Sequence, residues 1–309
     1  MEFMESPEKV SFDDRGLGFW ILGIILVLLL FFLIFAFIAS GSCGIDLFIG
    51  IPLSVGILAA FTRSIYKRVT PGEIFLITAY LGAVLLLGFL FVREESLICL
   101  LMSIPITYLP LLIGAWIGYK IQNKNWSKYF VVPIVLFFNI SAHVFDRLDV
   151  ESQRNVIKTT IVVRSSLQKV WKRILSPFEF GEAKNFFFRN GVPYPTSMKV
   201  VTTYGPRMLE CEYTNGRTSG IIGEFTEDAP MKFVFPTQQV TMQETYFGEF
   251  RLIPIGKGEV KIEATTRYFN RLGPKFYWKL WSDYLIDETH QHILQKIKLS
   301  VERKGKQNE

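Results

Sequence analysis

The sequence predicts a chain of two parts: an α-helical transmembrane bundle, followed by an α+β domain in which a curved antiparallel sheet surrounds a long C-terminal helix. Half of the 309 residues are hydrophobic and the mean hydropathy is +0.27, which is too apolar for one ordinary soluble domain. The first 145 residues hold 9 Lys or Arg and 9 Asp or Glu, so the net charge of +6 belongs to the remainder. We therefore expect a membrane domain at 1–149 and a soluble domain at 150–309.

The first apolar segment, residues 17–39, has no charged residue, and roughly 20 helical residues suffice to cross the hydrocarbon of a bilayer. A cleaved signal peptide is the alternative, but its apolar core is only about 7 to 15 residues long and follows a basic start. The start here is acidic, with Glu2, Glu5, Glu8, Asp13 and Asp14. We therefore expect this helix to stay in the mature protein.

Further apolar segments predict a bundle of four to five transmembrane helices. They lie at about 45–62, 74–92 and 97–119, with a weaker one at 129–145 that contains Pro133, Asn139 and His143. Ionisable residues inside membrane helices mark transport pathways, and the first four segments have none in their interiors. The bundle is therefore predicted to anchor the chain rather than to transport a solute.

The positions of Lys and Arg predict the orientation. Basic residues precede the first segment and fill the second and fourth loops: Lys9 and Arg15; Arg63, Lys67 and Arg68; Lys120, Lys124 and Lys128. By the positive-inside rule the amino terminus is cytoplasmic, and a cell (inner) membrane is expected. If the fifth segment crosses, the soluble domain lies outside the cytoplasm, which we expect; if it lies in the interface, the domain stays inside.

The soluble domain is predicted to open with a strand, a turn and a short helix. Period-two alternation over 156–163 indicates the strand. Ser165 or Ser166 can then cap an amphipathic helix that carries Val170 and Ile174 on one face. The only cysteine of this domain, Cys211, is expected to be a small buried residue.

A short aromatic helix at 186–188 comes next, and an antiparallel meander follows it. The predicted strands cover 197–204, 207–214, 217–226, 230–236, 245–255 and 258–269, with Gly, Pro and Asn at the turns between them. A long helix over 275–303 ends the domain, with an inward stripe formed by Ile286, His290, Ile293, Ile297 and Val301.

This element order, together with particular segments, resembles the START-like (SRPBCC) superfamily, whose members have the helix-grip fold. The resemblance covers about 155–302, and the segments that carry it are 159–163 with 170–171, 190–195, and 268–281. It implies a sheet wrapped around the last helix, with a cavity between them. The superfamily includes hydrophobic-ligand-binding proteins and polyketide-cyclase-type enzymes and has no shared catalytic signature, so the fold alone does not give a function.

Asp287 and His290 are the candidate catalytic residues, because a spacing of three on a helix lets a carboxylate orient an imidazole as a general base. A hydrogen-bonded structural pair is the alternative. His290 and His292 point about 200° apart and do not have the spacing of a zinc pair. We expect no metal and no cofactor.

Aromatic residues concentrate on the elements that this fold turns inward. The candidate ligand-binding residues are Phe187, Phe233, Phe235, Tyr246, Phe250, Tyr268, Trp278 and Trp281. For any one of them, ordinary core packing is the alternative. An apolar lining with few polar groups is typical of a site for a lipid-like molecule.

The predicted function is a membrane-anchored protein that binds a hydrophobic small molecule or lipid. A cyclase- or hydratase-like enzyme acting on a hydrophobic substrate is the alternative, and a structural interaction module is a third hypothesis. The expected partners are the lipid bilayer and the ligand. A nucleic-acid partner is not expected, because there is no polybasic run, and the sequence gives no indication of oligomeric state.

Overall fold

A computed structural model of the chain divides into two compact units, Met1–Leu87 with Ile104–Ala142, and Gly88–Ser103 with His143–Glu309. At some positions, in the helices of the first half of the chain and in the middle strands of the sheet, only the main chain is described. The described residues are 44–66, 70–92, 97–122, 131–148, 154–201, 208–216, 218–224, 231–240, 243–256, 258–270 and 272–305.

Helices make up the described part of the first half of the chain. A π-helical turn, Asp46–Gly50, leads into α1 (Ile51–Tyr66), and α2 (Pro71–Val92), α3 (Leu97–Gln122) and α4 (Val131–Leu148) follow. Each overlaps an apolar segment of the sequence, which confirms the helical prediction there. The predicted helix at 17–39 lies outside the described residues.

Within the described residues, two helical stretches are long and apolar enough to cross a membrane, Asp46–Ser64 and Leu101–Ile121. Pro71–Val84 is apolar but shorter. Length and composition alone define these stretches, so the bundle of four to five spans stays a prediction.

Glycines set the distance between α1 and α3 in the first unit. A Cβ atom added to Gly114 would lie 2.0 Å from the main-chain oxygen of Leu53, and one added to Gly118 would lie 2.5 Å from that of Ile57. A Cβ on Gly56 would likewise meet the main chain of α3. Gly114 and Gly118 are four residues apart and form a small-xxx-small face, which lets helix backbones approach closely.

A buried hydrogen bond joins α4 to α1 in the same unit. The Asn139 side chain donates to the Ser54 hydroxyl at 2.6 Å and to the main-chain oxygen of Val135 at 2.7 Å. Both polar side chains are buried. The polar residue that weakens the fifth segment in the sequence therefore has a packing role between helices.

The second unit contains an eight-stranded antiparallel sheet in the order β1-β8-β7-β6-β5-β4-β3-β2. The strands are β1 (Asn155–Arg164), β2 (Phe178–Glu179), β3 (Pro195–Val201), β4 (Met208–Tyr213), β5 (Thr218–Glu224), β6 (Met231–Val240), β7 (Gln243–Gly256) and β8 (Glu259–Asn270). The helices are α5 (Leu167–Leu175), α6 (Phe186–Arg189) and α7 (Lys275–Gly305). The antiparallel sheet and the long terminal helix are thus confirmed.

Two details of the sheet differ from the sequence prediction. β2 was not predicted, since two residues are too few to show a periodicity; it pairs with β3 through Phe178 and Met198. β6 runs on to Val240 because the pairing with β7 resumes at Gln238 after a shift of register. Ser166 is the N-cap of α5, where its hydroxyl accepts from the Lys169 amide.

The apolar core of the second unit lies under the C-terminal half of α7, which packs against β1 and β8 and against α5. Its buried members include Val163, Val170, Ile174, Ile262, Leu294 and Ile297. Cys211 is buried in the same core, as predicted. Burial, assisted by the charge of Glu210, raises the pKa of its thiol to about 12, so the thiolate is disfavoured.

The glycine contact between α1 and α3 predicts that Gly114→Ala lowers stability. The added methyl group meets the main chain of α1, so we expect a loss of about 1–3 kcal/mol, as for other overpacked sites. Thermal unfolding of the full chain in detergent, followed by fluorescence-detected size exclusion, measures this loss.

Gly72→Ala is the matched control, because nothing lies within 4 Å of a Cβ at Gly72 on α2. Its intrinsic effect is to favour the helix by up to about 1 kcal/mol. Equal melting temperatures for the two variants would contradict the close packing of α1 and α3.

Candidate functional site

The inner face of the sheet changes from apolar to polar along the length of α7. On β8, the inward-facing alternate residues are first apolar and then polar, with Val260, Ile262 and Ala264 followed by Thr266, Tyr268 and Asn270. The polar end of β8 faces the N-terminal half of α7, through bonds to Ser282, Asp283 and His290. The candidate site is therefore the polar and aromatic half of this interface, away from the apolar core.

A chain of hydrogen bonds crosses this interface through His290. The Thr159 hydroxyl on β1 donates to Asp287 Oδ1 at 2.5 Å and lies 3.0 Å from His290 Nδ1. The Thr266 hydroxyl on β8 lies 2.7 Å from His290 Nε2. Gln291 donates to the other oxygen of Asp287 at 2.8 Å. Both ring nitrogens of a buried histidine are thus engaged.

The direction of these bonds follows from the number of protons. Thr159 has one hydroxyl proton and gives it to Asp287, so its oxygen accepts from the protonated Nδ1 of His290. The Nε2 lone pair then accepts from Thr266. Burial lowers the pKa of His290 to about 4, and the charge of Asp287 opposes the shift only in part. The imidazole is neutral at physiological pH.

The predicted pair, Asp287 and His290, is linked through a third side chain. In the described part of the chain, Asp287 and His290 are joined through Thr159 rather than by a direct bond. A general base needs a free lone pair, and the Nε2 lone pair of His290 is held by Thr266. The arrangement matches a hydrogen-bonded structural pair more closely than a base poised for proton abstraction.

A second polar cluster lies nearer the start of α7. The Tyr268 hydroxyl donates to Asp283, and Lys279 binds the other oxygen of the same carboxylate. Burial, the bond to Asp283 and its charge together raise the pKa of Tyr268 above its usual range, so the phenol stays protonated. Ser282 donates to Asn270 Oδ1 at 2.8 Å. The sheet and the helix are therefore cross-linked by polar side chains at this end as well.

Four partly buried aromatic rings form a cluster, Phe187, Tyr277, Trp281 and Tyr284. Phe187 lies edge-on to both Trp281 and Tyr284 at centroid distances of 5.6 Å, and Tyr277 lies 6.5 Å from Trp281. Edge contacts of this kind are the favoured aromatic geometry. The cluster joins α6 to the N-terminal half of α7 and leaves part of each ring uncovered.

Two hydrogen bonds fix the position of the start of α7. Trp278 is 1% exposed, and its indole nitrogen donates to the main-chain oxygen of Gly273 at 3.1 Å. The Tyr277 hydroxyl donates to the main-chain oxygen of Met102, a residue of α3 that belongs to the same unit. Trp278 is thus a core residue, while the neighbouring Trp281 is in the aromatic cluster.

The predicted ligand-lining residues fall into different environments. Phe187 and Trp281 share the aromatic cluster, whereas Tyr268 is fully buried and hydrogen bonded. Phe250 packs against the apolar core instead. The side chains of three predicted residues lie outside the described part of the structure: Phe233, Phe235 and Tyr246.

Sequence reasoning did not identify several residues of the site, namely Thr159, Thr266, Lys279, Asp283 and Tyr284. The spacing of four between Lys279, Asp283 and Asp287 was a usable indication, because it places all three on one face of α7. The threonines gave no such indication, since threonine is common on either face of a strand. His292 lies elsewhere, with its ring beside Phe180 and Tyr194.

The buried neutral His290 predicts an acid-sensitive domain. Its pKa rises from about 4 in the folded state to the ordinary 6.5 on unfolding, so protons favour the unfolded state. The contribution of neutral His290 to the free energy of unfolding is fully present above pH 6.5 and is lost as the pH falls from 6.5 to 4. At pH 5 the loss is about 2 kcal/mol. Urea unfolding of the fragment 150–309 at pH 7 and pH 5 measures this loss.

His290→Gln is the control, because it keeps polar atoms in place without a titrating group. Part of the acid sensitivity comes from His292, whose pKa is lowered chiefly by burial, and this part is unchanged in the variant. The difference between the two proteins isolates His290. An equal loss at pH 5 in both would contradict a buried neutral imidazole.

Comparison with known proteins finds similarity in solved structures. No family model matches the chain, and no curated protein matches it. A START superfamily protein from Mycobacterium smegmatis is 13% identical to this chain, with a TM-score of 0.34. The Zhui aromatase/cyclase from Streptomyces sp. R1128 is 11% identical, with a TM-score of 0.37. Norcoclaurine synthase from Thalictrum flavum is 15% identical, with a TM-score of 0.35. They cover 49%, 49% and 51% of this chain, and 99%, 95% and 99% of their own. Such values assign no ligand or activity, and the fold assignment rests on the element order and sheet register of this chain.

Proposed function

We propose that the protein is anchored in a membrane and binds a hydrophobic small molecule or lipid beside the N-terminal half of α7. The partly buried aromatic cluster carries this proposal. Phe187, Tyr277, Trp281 and Tyr284 contact one another yet remain partly uncovered, whereas the apolar residues at the other end of α7 are buried in the core. Uncovered rings beside a few fixed polar groups are typical of ligand sites.

The polar groups of the interface support binding more than catalysis. His290 has both nitrogens engaged, and the Asp287 oxygens accept from Thr159 and Gln291. A cyclase- or hydratase-type reaction needs a base whose lone pair can reach a substrate proton. In the described residues, the polar network holds the sheet and helix together, and the contact area left for a ligand is mainly aromatic.

The predicted orientation places the domain on the extracytoplasmic side of a cell membrane. If α3 and α4 both cross, the chain after α4 returns to the side on which α3 begins. The bond from Tyr277 to Met102, a residue near the start of α3 in the same unit, supports this arrangement. The loop before α3 carries Arg93 with Glu94 and Glu95 and lacks a positive-inside pattern.

The anchor also supplies a reason for binding lipid. Only residues 149–154 separate α4 from β1, a reach of about 20 Å when fully extended. A tethered domain meets its partner at an effective concentration of about millimolar for a short linker. Even a modest intrinsic affinity for a membrane component is then sufficient for occupancy.

Replacing Trp281 with alanine should weaken ligand binding while the chain stays folded. The variant loses the ring that contacts Phe187 and Tyr277, so we expect affinity to fall at least about tenfold, which is about 1.4 kcal/mol. Native mass spectrometry of the detergent-purified chain detects co-purified lipid, and a fluorescent fatty-acid or sterol probe measures affinity.

Trp171→Ala is the matched control, because Trp171 is also partly buried but packs against the apolar core on α5. Both variants should lose stability, and only the Trp281 variant should lose probe. If both bind as tightly as the parent chain, the aromatic cluster is not the ligand site.

Reporter fusions test the orientation. A reporter after Tyr66 or Asn123 should register as cytoplasmic, and one after Asp149 as extracytoplasmic, because the basic loops stay inside and α4 crosses. A cytoplasmic result for the Asp149 fusion would show that α4 does not cross.

A further inference from the structure

Four large apolar side chains on α6 and α7 are exposed together. Phe276, Leu280 and Tyr284 are 71%, 69% and 40% exposed, and Phe186 is 63% exposed. We name these four residues the α6–α7 apolar face. Single exposed apolar residues are ordinary, but a cluster at one end of a domain marks an interaction surface.

The spacing explains why three of them form one row. Phe276, Leu280 and Tyr284 are four residues apart, so they lie along one side of α7. A hydrogen bond of 2.8 Å from Asn185, the N-cap of α6, to the Tyr284 hydroxyl holds the two helices side by side. Phe186 follows this N-cap directly, which brings it to the same end of the domain.

Basic residues surround the α6–α7 apolar face. Lys184 precedes α6 and Arg189 is its last residue, and both are exposed; Lys275 and Lys279 lie in the first turns of α7. Asp283 on α7 pairs with Lys279 and offsets its charge, and the exposed Glu182 precedes α6, so the positive charge of this surface comes mainly from Lys184, Arg189 and Lys275. An apolar strip of Phe, Leu and Tyr flanked by cations has the composition of a helix that lies in a membrane interface, where cations face anionic headgroups.

The position of Tyr277 indicates which surface this strip meets. Tyr277 lies between Phe276 and Trp278, and its hydroxyl donates to the main-chain oxygen of Met102. Met102 is the second residue of Leu101–Ile121, a stretch long enough to cross a membrane. The first turn of α7 therefore contacts a residue at the start of a candidate span, which favours a bilayer as the surface that the strip meets.

We propose that the α6–α7 apolar face docks into the headgroup and upper acyl region of a phospholipid bilayer. This inference rests on the membrane anchoring proposed above and adds a second contact with the same membrane. Docking brings the aromatic cluster next to lipid, because Tyr284 belongs to both groups and Phe186 lies edge-on to Phe187 at a centroid distance of 5.6 Å. A hydrophobic ligand then passes from the bilayer to the site without crossing water.

Quenching by brominated lipid tests this contact in the full-length chain. A bimane label is placed on Leu280→Cys, and the matched control is Leu299→Cys, which lies on the same helix, is 48% exposed and is about 28 Å further along the axis. The parent chain carries Cys43→Ser and Cys99→Ser. Cys211 remains, because it is buried and the raised pKa of its thiol suppresses labelling.

The labelled chains are reconstituted into vesicles of phosphatidylcholine and phosphatidylglycerol, with and without acyl-brominated phosphatidylcholine. We expect quenching at position 280 to be at least about threefold stronger than at 299, because docked side chains reach about 5–10 Å into the interface. Thermal melts that match the parent chain show that the labelled proteins are folded.

Each of the other outcomes contradicts either the docking proposal or the anchoring proposal. Equal quenching at 280 and 299 in chains that resist carbonate extraction overturns docking and leaves the anchoring proposal standing. Chains that carbonate removes from the vesicles overturn the anchoring on which docking rests. Concentration-dependent energy transfer between labels at 280, without quenching by lipid, overturns docking and assigns the face to a second copy of the chain.

Discussion

The packing of α7 across β1 and β8 is the constraint on which the second unit depends. One helix of 31 residues supplies both the core and the candidate site, and the division between them is set by what each strand presents. Leu294 and Ile297 meet the apolar ends of β1 and β8, where burial alone stabilises the contact. The other half of α7 meets threonine, tyrosine and asparagine, and there only bonded side chains can be buried without a penalty.

That requirement explains why hydrogen bonds join the helix to both strands in the polar half. An unpaired buried polar group costs about 1–3 kcal/mol, so a network through Thr159, His290 and Thr266 is stable only when every proton has an acceptor. The order of donors found here satisfies that condition with a neutral imidazole. It also orients α7 about its axis, because a rotation would break bonds to both strands. The fixed rotation of α7 in turn determines the directions in which the aromatic cluster and the α6–α7 apolar face point.

Periodicity predicted most of the fold, because strands of six or more residues and a 31-residue helix repeat their patterns often enough to be recognised. It missed β2, which is two residues long. It also could not show that Trp278 is buried in the core while Trp281 is partly exposed. Both tryptophans lie on the inward half of α7, and only the turn at Gly273 decides that one is buried and bonded to it. For Asp287 and His290 the spacing was sufficient to place them together. Their link through Thr159 was not predictable, since it depends on the register between β1 and β8.

The two units of the chain pack their elements in different ways. In the first unit, Gly114 and Gly118 bring helix backbones close together. In the lipid environment proposed for this unit no hydrophobic force acts between helices, and such close contact would supply the attraction. In the second unit, water drives apolar residues into a core, yet Phe276 and Leu280 are left outside it. Leaving such side chains exposed to water costs about 25 cal/mol of free energy for each Å² of apolar surface that burial would cover. The proposed contact with a bilayer would remove that cost, which connects the proposed anchor with the apolar surface on the domain.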